Sequence, residues 1–365
     1  MRRFLQYLFV LFLALDFAAL IVLFQKIEGT KLSIALIDIR NALITKFVSQ
    51  GSELEAPPAE LFKHGFLTDS PEERATWKEI LNNTVRYHDL FQQLDQTPST
   101  VEKAKLIALS FSRNGSPVDA DGKPTSMYSN YADLLFKIST IMEPRGCCSD
   151  HAQVFVALAN VVGVDAMVVT CAHTTCAFYC PELKKWVWID PEFALLAKRP
   201  NGEYMSSLEV RDANLKGASF DYDFFGTPQH DFAKMDPRSQ EYYRPETFCP
   251  EFGVEWGNNE LIRNKYDHRF LFLPKAIRQS FEIAFGLRPI YHYLDDAPAL
   301  VAKSFRIRMA SYAVGLLFLV GNLAFPIYCL VVWLMRRFSR SAVPGSAHVV
   351  LPEIALESQG HNLVV

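Results

Sequence analysis

Two long apolar runs bracket the chain. Residues 4–24 are almost wholly apolar, broken by Gln6 and Asp16, and residues 309–335 carry no charge. Each matches or exceeds the about 20 residues that cross a bilayer as a helix. The first run is long for a secretory signal, and Ala18-Ala19 is a poor cleavage site, so it reads as an uncleaved anchor. The pattern therefore predicts a transmembrane anchor over 1–26 and a second transmembrane helix over 305–336. After the first run, Leu36, Ile39, Leu43, Ile44 and Phe47 keep helical spacing, which predicts a stalk. Residues 51–58 read as a linker, so 27–58 is stalk plus linker and the globular body occupies 59–298.

Within the body, the clearest helix has Ala152, Phe155, Val156, Ala159 and Val162 on one face and stops at Gly163. Three extended runs follow. A Val-rich run covers 166–172 and a second covers 174–180. After a turn at 181–185, a returning strand covers 186–190, closed by Pro191. An earlier helix is expected over 97–112. Residues 201–266 are rich in aromatics, prolines and acids with little periodicity, and are expected to pack as loops and short elements over the core, either as the wall of a cleft or as a purely structural extension. The tail, 337–365, has no core-forming pattern and is expected to be disordered.

These elements carry a chemical constellation. Gly146-Cys147-Cys148 opens the helix, His173 lies between the first two strands, and Asp190 ends the third. A cysteine at a helix start meets unpaired backbone N–H groups and the positive end of the helix dipole, which favour thiolate. A turn centred near Glu182 would bring His173 and Asp190 opposite each other within a residue or two. Cys148, His173 and Asp190 thus read as nucleophile, base and orienting acid. Three alternatives compete. Cys147 is the neighbouring thiol, and His151 is a second imidazole close to Cys148. Cys171, His173, Cys176 and Cys180 offer zinc-ligand types, although strand alternation would split them between two faces.

Residues 146–193 resemble the core of the transglutaminase-like superfamily: Gly146, Cys148, Ala152, Gly163, His173, Trp186, Asp190 and Pro191 match its pattern in order and approximate spacing. The helix at 97–112 resembles the family's lead-in. The resemblance implies an α+β, papain-like core over about 97–193, with a Cys-bearing helix packed on an antiparallel sheet and a C-terminal extension over 194–298. It implies Cys148 as nucleophile, His173 as general base and acid, and Asp190 as orienting acid. The family's usual tryptophan after the histidine is replaced by Thr174-Thr175-Cys176. Tyr128 and Tyr131 are the upstream residues considered for an oxyanion-stabilising side chain. Two-span members resemble proteins that accompany bacterial cell-envelope polysaccharide machinery, which would be partners by analogy.

Charge and composition narrow the context. A formal net charge of −3 argues against nucleic acid. No phosphate loop or nucleotide-binding glycine fingerprint is present, so no cofactor and no metal are expected. Seven cysteines, one pair adjacent, do not make a disulfide framework for a body of this size. Arg2, Arg3, Arg336, Arg337 and Arg340 favour cytoplasmic termini, against Lys303, Arg306 and Arg308 before the second span. The expected protein is a two-span inner-membrane enzyme with an extracytoplasmic body. It would act on a protein or peptide amide through a thioester at Cys148, as acyltransferase, protease or amidase. The alternative is a catalytically silent module that scaffolds a membrane complex.

Overall fold

The computed structural model describes residues 31–59, 71–83, 88–111, 148–171, 173–226, 237–256 and 290–341, together with Tyr7, Val10 and Ala14. The first apolar run otherwise lies outside the described residues. So do the segments holding Tyr128, Tyr131, Gly146 and Cys147, and the tail beyond Ser341. The chain divides into two compact units, one of Ala18–Tyr312 and one of Met1–Phe17 with Ala313–Val365.

In the larger unit the elements in chain order are α1 (Lys31–Ile44), β1 (Thr45–Val48), a 3-10 turn (Gly51–Leu54), α2 (Pro71–Asn82), α3 (His88–Gln96), α4 (Thr100–Leu109), α5 (Cys148–Val161), β2 (Ala166–Thr170), β3 (Thr175–Cys180), β4 (Lys185–Asp190), β5 (Leu195–Lys198), α6 (Ser207–Lys216), β6 (Asp221–Phe224), α7 (Pro237–Glu241), α8 (Pro245–Phe248), β7 (Gly253–Trp256) and β8 (Ile290–Leu294). The strands form one mixed sheet in the order β1-β8-β7-β2-β3-β4-β5-β6. All neighbours are antiparallel except β1 with β8. The predicted stalk thus ends at Ile44, and Thr45–Val48 enters the sheet as an edge strand. Phe47 still fits the helical spacing, but its backbone pairs with Tyr293 instead.

Alternation along the central strands explains why these runs are apolar at nearly every position. Ala166, Val168, Cys176, Phe178, Cys180, Val187, Ile189 and Leu196 face one apolar cluster, which they share with α3, α4 and α5. Met167, Val169, Ala177, Trp186, Trp188, Leu195 and Ala197 face a second, shared with α6, α8 and β7. A sheet covered on both faces has no solvent side, so the period of two is hidden in a continuous hydrophobic run. Trp188, fully buried, turns its indole N–H onto Thr175 Oγ1 at 2.9 Å. Trp186 donates to the carbonyl of Glu55 at 2.9 Å and ties the 51–58 segment to β4.

Local signals set the ends of α5 and the adjoining turns. Gly163 has φ +78°, the left-handed value that glycine takes without penalty. Val164 N–H donates to Ala159 at 2.8 Å and Gly163 N–H to Asn160 at 3.0 Å, the paired bonds that close a helix. The β3–β4 turn is pinned from outside, because Glu182 Oε1 accepts from the first N–H of α4, Thr100, at 2.8 Å. That backbone bond leads the causes that hold the Glu182 carboxyl down at about 2.

The last helix, α9, runs Pro298–Ser341. Its first turns belong to the larger unit. Arg308 donates from Nε to the Ala42 carbonyl at 2.9 Å and from Nη2 to the carbonyls of Ala42 and Thr45, so it caps the C-terminal end of α1. Lys303 pairs with Asp38 at 3.3 Å. Beyond Tyr312, exposed Leu, Phe and Val side chains cover the helix. The segment Pro298–Phe338 contains a stretch long and apolar enough to cross a membrane, the one such helix among the described residues.

Candidate active site

The site lies at the end of the sheet where β2 and β4 finish and β3 begins, against the first turn of α5. Cys148 is the first residue of that helix and is partly exposed. His173 sits in the short connection between β2 and β3, whose start is held by the Cys171 thiol donating to the His173 carbonyl. The β3–β4 register pairs Cys176 with Ile189. Asp190 therefore falls level with Thr175, two residues from His173 along the strand direction, near enough for the side chains to meet.

They meet through a fully buried carboxylate. Asp190 Oδ2 takes His173 Nε2 at 2.7 Å and also accepts from the Tyr243 hydroxyl. Its other oxygen, Oδ1, accepts from the backbone N–H of Glu192 at 2.9 Å and of Phe193 at 3.3 Å. Pro191 has no N–H, so the carboxylate reaches past it to the next two amides and fixes the turn that follows β4. One oxygen shapes the backbone while the other aims the imidazole. Burial by itself would raise the Asp190 pKa. The charge of His173 and the hydrogen bonds from His173, Tyr243 and Phe193 outweigh it and hold the carboxyl below its ordinary value. With Asp190 ionised, the hydrogen between them belongs to His173 Nε2, which leaves Nδ1 as the ring nitrogen not taken by Asp190.

Aromatic rings wall the imidazole. Tyr242 stacks on His173 with centroids 4.9 Å apart and planes 14° from parallel. Phe193 packs at 5.7 Å and Tyr243 meets it edge-on at 5.9 Å. Burial first, then the Asp190 charge, keep the Tyr243 hydroxyl well above its ordinary pKa, so it stays a donor. Cys148 Sγ, a His173 ring nitrogen and a Glu192 carboxylate oxygen all lie within 4.8 Å of one another. Glu192 Oε2 is 3.9 Å from His173 Nε2.

The structure thus brings Cys148, His173 and Asp190 to one place. It adds Tyr242, Tyr243, Glu192 and Phe193, which the sequence pattern did not single out. Glu192 and Phe193 were within sight of it, because they lie in the turn that directly follows Asp190. Tyr242 and Tyr243 come from the aperiodic stretch after α7, where only composition hinted at a wall. His151, on the same helix as Cys148, is fully buried with its ring 5.8 Å from that of Phe111.

The zinc-ligand types Cys171, His173, Cys176 and Cys180 are each engaged in hydrogen bonds of their own, His173 with Asp190. Cys176 donates to the Ala152 carbonyl at 3.4 Å, Cys180 to Glu182 Oε2 at 3.2 Å, and Cys171 to the His173 carbonyl. Burial pushes the Cys171 thiol up to about 12 and Cys176 well above its ordinary value, so both stay protonated. Among the described residues, the donor set close enough to hold a metal is Cys148, His173 and Glu192. Comparison of the chain with protein-family models, curated proteins and solved structures finds no match.

Tyr243→Phe tests the network through pH. A carboxyl held below its ordinary value contributes stability that is fully present above the unfolded value, about 3.9, and lost as pH falls through the folded one. Removing the hydroxyl moves the folded value up. At pH 7 the variant should be less stable by about 1.5–3 kcal/mol, the range for a hydrogen bond to a charged group. The difference should narrow as pH falls below about 4. Denaturant unfolding in detergent at several pH values measures it; a gap that does not change with pH would remove Tyr243 from the carboxylate's account.

Proposed function

We propose that the chain is a membrane-anchored cysteine acyltransferase or amide hydrolase with a transglutaminase-like core. The observation that carries this reading is the convergence of the Cys148 thiol, at a helix start, with an imidazole already bonded to a buried ionised carboxylate. Those are the parts that covalent acyl transfer needs. The thiol proton rests on His173 Nδ1, so Cys148 Sγ attacks an amide carbonyl as the thiolate and the imidazolium passes that proton to the departing amine. A thioester forms, and water or an acceptor amine resolves it. Asp190 keeps the ring oriented and stabilises the imidazolium that forms in both halves. Tyr242, stacked on the ring, restricts its rotation. The Cys148 backbone N–H, at the helix start, is one donor for the developing oxyanion.

Substrate and setting are proposed on the same footing. A protein or peptide amide suits the reaction class, and the resemblance to two-span members points to the cell envelope and to polysaccharide-synthesis partners. The body is placed outside the cytoplasm with both termini inside. The structure helps this orientation, because two of the three basic residues preceding the second span have protein partners: Lys303 binds Asp38 and Arg308 caps α1. Their presence there has a reason within the fold and weighs less as a topology signal.

Cys148→Ala should abolish turnover and the trapped thioester, while Cys147→Ala should keep most of both. Asp190→Asn should slow acylation by about 10²–10⁴-fold through loss of imidazole orientation. Intact-protein mass spectrometry after incubation with peptide amides reads the acyl adduct; equal adduct in Cys148→Ala and wild type would end the assignment.

For topology, a cysteine placed at Ser346 should be shielded from an impermeant thiol reagent in intact cells, whereas one at Lys216, whose side chain is 72% exposed, should react. The reverse labelling pattern would put the body in the cytoplasm.

A further inference from the structure

Covalent chemistry needs three of the side chains at this site, and Glu192 is not one of them. It is 1% exposed, and its carboxylate lies within 4.8 Å of both the Cys148 sulfur and a His173 nitrogen. Burying a carboxylate is costly. Beside a nucleophilic thiolate it is also counterproductive, because like charge disfavours the ionised sulfur. Thiolate, imidazole and carboxylate are, however, the three donor types that zinc takes.

The geometry suits that use. Tetrahedral zinc, with bonds of about 2.0–2.3 Å, sets its ligand atoms about 3.3–3.8 Å apart. The Cys148–His173–Glu192 trio needs to contract by no more than about 1–1.5 Å, within the reach of side-chain rotation. Asp190 on Nε2 reproduces the carboxylate that a metal-bound histidine keeps on its other nitrogen, so the metal would take Nδ1, and Glu192 Oε2, 3.9 Å from Nε2, would turn toward that nitrogen. Three protein ligands leave a fourth position for water.

We propose that a soft divalent cation of the zinc class binds Cys148, His173 and Glu192 and holds the site in a reversible silent state. Formation of the sulfur–metal bond releases the Cys148 proton to solvent, and no electron is transferred. Removal of the metal restores the thiol. The silencing rests on the reading of Cys148 as nucleophile; the cation site does not. A thiol exposed in an oxidising compartment would gain protection by the same bond.

The test uses the full-length chain in detergent, stripped with a chelator and titrated with Co²⁺ as a spectroscopic probe and then with Zn²⁺. One equivalent of Co²⁺ should give a thiolate-to-cobalt charge-transfer band that Zn²⁺ removes. Cys148→Ser should lose the band, and Glu192→Gln should weaken Zn²⁺ at least tenfold. No band at one equivalent, a band that survives Cys148→Ser, or unchanged Zn²⁺ affinity in Glu192→Gln would each overturn the site. Iodoacetamide labelling of Cys148 separates the two proposals. Brisk labelling that one equivalent of Zn²⁺ fails to slow would sink the cation site and leave acyl transfer standing. An inert metal-free Cys148 together with a normal cobalt band would do the reverse.

Discussion

The buried Asp190 carboxylate is the interaction on which the site depends. It sits at the end of β4 with no exposure to water and receives four donors: an imidazole, a phenol and two backbone amides. An ionised carboxylate in such a place is tolerated only when its lone pairs are taken. Satisfying it therefore forces several things at once. The chain after Pro191 must turn back to offer two N–H groups. The segment after α7 must lie over the sheet so that Tyr243 reaches in. His173 must present Nε2, which leaves Nδ1 as the nitrogen not taken by Asp190. The residues that make Asp190 affordable are the residues that build the pocket.

That arrangement couples two parts of the chain far apart in sequence. The core helix and hairpin supply Cys148, His173 and Asp190, and the extension supplies the aromatic cover through Tyr242 and Tyr243. A single indole links the layers in a similar way, with Trp188 bonded to Thr175 beneath the site and packed edge-on against Tyr243 at 6.3 Å. The extension is thus part of the imidazole's surroundings and not only a structural appendage. At the other end of the sheet, the edge strand β1 and the Arg308 cap on α1 join the base of α9 to the same unit.

Much of the core was legible because its signals are local. Helical spacing ended by a glycine, and strands separated by a Pro-containing turn, located α5 and β2–β4 to within one or two residues. The His173–Asp190 approach followed from counting across that turn. Thr45–Val48 was not legible as a strand, because its partner is Tyr291–Leu294, nearly the whole body away, and nothing local distinguishes the end of a helix from the start of an edge strand. Tyr243 was hidden for the same reason: its role is set by a hydrogen bond to Asp190, 53 positions away. The eight-strand sheet itself follows from long-range pairing of β7 and β8, which composition and period do not encode. The apolar part of α9 was plain from the uncharged run 309–335, since length and apolarity need no partner, and it is the one such helix among the described residues.

The central claim is that Cys148 is a nucleophile paired with an imidazole that Asp190 holds. The most direct measurement is the pH dependence of the rate at which a small neutral alkylating agent modifies Cys148, compared between the wild-type chain and His173→Gln after metal removal. A thiolate–imidazolium pair predicts substantial modification well below about pH 8.5, the ordinary thiol value, and predicts that this low-pH reactivity disappears in the variant. A single rise centred near that ordinary value in both proteins would contradict the account.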